Sequence, residues 1–72
     1  MTYTLYHFHS GDTHETGSRG NVVAEFTSIK AARQELKYYA SSFNMTKDAG
    51  IKDRYNRVFG SVGFHSYFIE KA

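Results

Sequence analysis

"SIKAARQELKYYASSFN", residues 28–44, decides how this chain folds. Ile29, Ala32, Leu36, Tyr39, Ala40 and Phe43 recur every three or four positions, which lays them along one side of an α-helix. Thr27 or Ser28 can accept a hydrogen bond from the first free backbone amides and so cap the start. Asn44 suits the other end, where helices often close on a left-handed residue. The spacing predicts a helix over 28–44. A single apolar stripe needs a layer to lie on, and the flanking segments supply it.

Toward the N-terminus, "NVVAEFT" (residues 21–27) reads as a strand with Val22, Ala24 and Phe26 on one side. "TYTLYHFH" (residues 2–9) alternates in β-rich chemistry and reads as another. Between them "SGDTHETGSRG" holds three glycines and no apolar residue, a loop long for a hairpin connection. Toward the C-terminus, "MTKDAGIKD" (residues 45–53) is a polar connection turning near Asp48-Ala49-Gly50. "RYNRVFGSVGFHSYFIEK" (residues 54–71) then forms two strands joined near Gly60-Ser61 as an antiparallel hairpin. Gly60 and Gly63 can alternatively mark a bulge there. The expected fold is α+β: one small domain over 1–72, β-β-α-β-β, a four-stranded mainly antiparallel sheet with one helix packed on one face.

Seventy-two residues lie near the low end of what folds without a staple, and the chain has no cysteine. Disulfides and thiolate metal sites are therefore excluded. The core must come from large side chains, and six Tyr and six Phe are available. Each buried ring removes roughly 150–250 Å² from water, so a few suffice. A homodimer would add further burial. No apolar run approaches the roughly 18–20 residues that span a bilayer, so no membrane partner is expected. The absence of a leader-like opening and of cysteine fits a cytoplasmic protein. Asn44-Met45-Thr46 matches a glycosylation acceptor, which has meaning only in a secreted chain.

One helix shields one side of a sheet. If Tyr6, Phe8, Val22, Ala24, Phe26, Val62, Phe64 and Phe68 face the helix, then Tyr3, Leu5, His7, His9, His65, Tyr67 and Ile69 fall on the uncovered side. Such a face, rich in rings and poor in charge, reads as a contact surface for a partner protein. Its expected partner-binding residues are Tyr3, Leu5, His7, His9, His65 and Tyr67. A one-residue slip would exchange the two faces.

Imidazole is a common metal ligand, and His7, His9, His14 and His65 form a candidate zinc set. Their H-x-H-x4-H spacing fits no familiar ligand signature, and no metal or other cofactor is expected. Ser10, Asp12 and His14 can be arranged as a triad only on paper, because a polar loop does not supply the required preorganisation. The chain is expected not to be an enzyme.

The net charge of +2 is modest, but its distribution is uneven. Residues 26–57 carry Lys30, Arg33, Lys37, Lys47, Lys52, Arg54 and Arg57 against Glu35, Asp48 and Asp53. Lys30, Arg33, Lys37, Lys52, Arg54 and Arg57 are accordingly candidates for contact with nucleic acid or an acidic partner, since cations hold phosphates while neighbouring rings stack on bases. "RVFGSVGF" (residues 57–64) resembles the aromatic RNP1 motif of RNA-recognition folds, though its spacing departs from it. Short, cysteine-free and aromatic, the chain is also similar in style to small accessory proteins of bacteriophages and mobile elements. That resemblance implies a protein that binds and modulates a host enzyme, nuclease or polymerase by occupying a surface.

Overall fold

A computed structural model describes residues 1–9, 21–59 and 63–71. In chain order it contains β1 (Tyr3–His9), β2 (Asn21–Phe26), α1 (Ile29–Ser42), β3 (Thr46–Lys47), β4 (Arg54–Phe59) and β5 (Gly63–Lys71). All neighbouring strands are antiparallel, in the order β2-β1-β5-β4-β3. Among the described residues the expected α+β class, one helix and an antiparallel sheet are present, and the strands number five where four were expected. The extra strand, β3, is two residues inside the stretch expected to be a polar connection, pairing Thr46 with Asn56 and Lys47 with Tyr55. Backbone pairing over two residues leaves no period in the sequence.

The helix forms where its stripe and caps place it. Ser28 is the N-cap, its Oγ accepting from the Ala31 amide at 3.3 Å. The C-terminal cap residue is Phe43, whose amide donates to Tyr39 O at 3.1 Å. Asn44 follows in the left-handed region at φ 54°, and the Met45 amide then reaches Ala40 O at 2.8 Å. Ala32, Leu36 and Ala40 are the buried helical residues; the two alanines let α1 approach the sheet closely. None of the described helices is long and apolar enough to cross a membrane.

The core sets which side of the sheet lies under α1. Leu5, Leu36 and Tyr67 form its centre, with Val23, Phe26, Tyr39, Met45, Tyr55 and Ile69 packed around them. This reverses most of the expected face assignment. Leu5, Tyr67 and Ile69 lie beneath the helix, not on the uncovered side. Tyr6 and Phe68, expected under the helix, stack on each other at 5.4 Å across the opposite face.

The reason is local. Leu5 pairs with Ala24 but Tyr6 pairs with Val22, so Val23 is an extra residue, a β-bulge. Phe26 faces the core as expected; beyond Ala24 the bulge brings Val23 in and turns Val22 outward, 56% exposed. Val62 and the Gly60-Ser61 joint lie outside the described residues.

Candidate functional site

The six expected partner-binding residues lie along β1 and β5, from Tyr3 at one end of β1 to His9 and His65 at the other, and two of them are buried. Leu5 is 0% and Tyr67 7% exposed, so neither can meet a partner in this arrangement. Around Tyr67 the rings interleave. Tyr39 from α1 stacks on it at 4.8 Å, and His7 from β1 stacks on it at 4.4 Å. Phe43 lies 6.0 Å from both Tyr67 and His65, closing the stack at the end of the helix. Burial raises the Tyr67 hydroxyl pKa, helped by Tyr39.

His7 and His65 meet through their ring nitrogens, Nε2 to Nδ1, at 3.2 Å. Burial lowers the His65 pKa first, with the His9 and Arg57 charges acting the same way. A neutral His65 suits this contact, in which one ring donates and the other accepts. Among the described residues no three His, Asp or Glu side chains are arranged to hold a metal ion. Ser10, Asp12 and His14 lie outside the described residues.

The six candidate cations separate into different environments. Arg54 belongs to the sheet face away from α1. Its guanidinium lies 5.3 Å from the Phe68 ring centroid and donates to Asn56 Oδ1 (3.0 Å) and Ser66 Oγ (3.3 Å). Arg57 donates to the Phe43 carbonyl at 2.8 Å and so ties β4 to the helix end. Lys30 stands exposed on the first turn of α1.

Arg33, Lys37 and Lys52 do converge. With Lys47, another cation of the same basic stretch, they line a cavity of about 330 Å³ beside α1. Its apolar lining is Leu36 and Tyr55. A second cavity of about 370 Å³ shares Arg33, Lys52 and Asp53 with the first. It adds Lys71 together with Tyr3, Ile29 and Ile69.

The groove is held in shape by two aspartates. Asp48 Oδ1 accepts from the Gly50 and Ile51 amides at 2.8 and 2.7 Å, while Oδ2 accepts from Asn56 Nδ2 at 2.7 Å. These bonds, Ile51's first, stabilise the carboxylate and lower its pKa. They lock the turn that carries Lys47 at one end and Lys52 at the other.

Asp53 accepts a two-pronged contact from Arg33, Nε at 2.8 Å and Nη2 at 3.2 Å. That bond raises the Arg33 pKa. Asp53 itself sits in the left-handed region at φ 59°, and its carbonyl accepts from the Ile69 amide. Lys37, Lys47 and Lys52 make no ion pair among the described residues. A locked turn therefore presents lysines that no described carboxylate pairs with. Lys47 belongs to the basic 26–57 stretch read from the sequence; what the sequence does not show is the two-residue strand that brings it to this cavity.

Compared with known proteins, the chain matches no family model, no curated protein and no solved structure.

Proposed function

We propose that this chain is a small non-enzymatic binding protein whose contact surface is the groove between α1 and the β3–β4 corner, and whose partner presents closely spaced negative charge. The observation that carries this is the set Lys37, Lys47 and Lys52 around one cavity, with Arg33 already committed to Asp53. Like charges held near one another repel, and only a counter-charge offsets that cost. The same residues bordering a hydrogen-bonded turn reduce the ordering that binding would otherwise require. Occupying an anionic surface on a larger molecule masks it, which is how a protein without catalytic groups modulates a partner.

The alternative, a contact through the uncovered sheet face, is less favoured. There the Phe68 ring is covered by Tyr6 and Arg54 and only 8% exposed, while Arg54 is engaged with Asn56 and Ser66. The well-exposed aliphatics on that side, Val22 and Val58, stand on different strands separated by β1 and β5.

The test is an amide-resolved NMR titration with polyglutamate and with an oligonucleotide at low salt. Shifts should centre on Arg33, Lys37, Lys47, Lys52 and Tyr55, weaken with salt, and vanish in a Lys37→Glu, Lys47→Glu, Lys52→Glu variant. All three lysines are exposed, so the variant should fold. Shifts centred instead on Tyr6, Phe8 and Val58, or no binding of either polymer, would refute the proposal.

A further inference from the structure

The two cavities lie side by side, divided by the Arg33–Asp53 pair and Lys52 that both share. Each contains one half-buried tyrosine: Tyr55 in the first, Tyr3 in the second. Lysines border both, Lys37 and Lys47 on one, Lys71 on the other, with Lys52 common to the two. Ring, cation, ring is an alternation with a specific chemical counterpart.

Resting on the function proposed above, we propose that the occupant is single-stranded nucleic acid, one base against Tyr55, the next against Tyr3, and the linking phosphate at Lys52. An acidic peptide would use the lysines but has no flat π-surface to place on two tyrosines. A duplex keeps its bases stacked inside and cannot offer them to separate cavities. Single strands expose both phosphate and base faces, and proteins hold them with basic channels and aromatic platforms. Cavities of about 330 and 370 Å³ fall in the size class of small-molecule sites, roughly 300–1,000 Å³, so each has room for one base. Because every base has a π-face, this arrangement selects strandedness over sequence.

Fluorescence anisotropy with a labelled twelve-residue oligothymidylate tests it, against the same sequence in a duplex and a polyglutamate of equal length. The single strand should bind at least tenfold more tightly than either. Loss of one base–ring stack should weaken binding about tenfold, so Tyr3→Leu and Tyr55→Leu should each do so. Lys52→Ala should make the salt dependence shallower by about 0.7 in log K against log salt, the single-strand value per phosphate contact.

Tyr55 also packs against the core, so a circular dichroism melt accompanies Tyr55→Leu to separate a lost stack from a lost fold. Tyr3→Leu and the upfield movement of the Tyr3 and Tyr55 ring protons in the unmutated protein carry the test otherwise. Polyglutamate binding as tightly as the oligonucleotide, with both tyrosine variants indifferent, would overturn this inference and leave the polyanion groove standing. No binding of either polymer would remove both.

Discussion

Asp53 shows what one residue can combine. Its φ of 59° is a conformation that most L-residues adopt only at a cost, whereas Gly, Asn and Asp tolerate it. Among the described residues its carboxylate is also the only acidic group lining either cavity, and it holds Arg33. The two roles separate by substitution. Asp53→Asn keeps the tolerated backbone and removes the charge, so polyanion binding should tighten while the urea midpoint changes little. Asp53→Ala loses both, and should be destabilised by roughly 1–2 kcal/mol from the backbone alone. Paired urea melts and anisotropy titrations check both outcomes.

His65 makes the protein's stability depend on pH. Its folded pKa lies below the ordinary value of 6.5, through burial first and then His9 and Arg57; His7 faces it from β1 and Tyr67 is its neighbour on the same face. An unfolded chain then binds a proton more readily than the folded one at mildly acidic pH. The stabilisation is present above about 6.5 and is lost as pH falls through the folded value. Urea midpoints should drop between pH 7 and pH 5, and His65→Asn should flatten that dependence.

At the scale of elements, α1 was legible because three independent signals coincide on it: an apolar stripe, a serine before it and an asparagine after it. Ser28→Ala should cost about 1 kcal/mol in thermal or urea unfolding, the usual worth of an N-cap side chain. The strands were legible as strands, but not their faces. Both sides of β1 and β5 carry rings, so hydrophobicity does not say which side seeks the helix. What decides is shape: Leu5 and Tyr67 meet Leu36 and Tyr39, and Val23, the bulged residue, breaks the alternation that would have linked β2 to β1. The basic groove was half legible. Arg33 and Lys37 share a helix face, but their meeting with Lys47 and Lys52 depends on a two-residue strand and on hydrogen bonds to Asp48, neither of which has a sequence period.

At the scale of the whole molecule, the central core among the described residues is three side chains with a half-buried ring of six around them. Domains of this length hold only a few kcal/mol in reserve. Leu36→Ala should therefore remove about 2–5 kcal/mol and most of the cooperative melt, a far larger effect than any groove substitution. Circular dichroism melting of the variant checks this, and the contrast keeps binding defects apart from folding defects.

The outer margin of β2 shapes how the molecule behaves in a crowded tube. Among the described residues no strand lies beyond it, and "NVVAEF" carries a single charge, Glu25, with neither lysine nor proline to discourage lateral recruitment of another chain. Concentrated samples should scatter light increasingly as this rim finds copies of itself, and Val22→Lys, adding charge at an exposed position, should keep them clear.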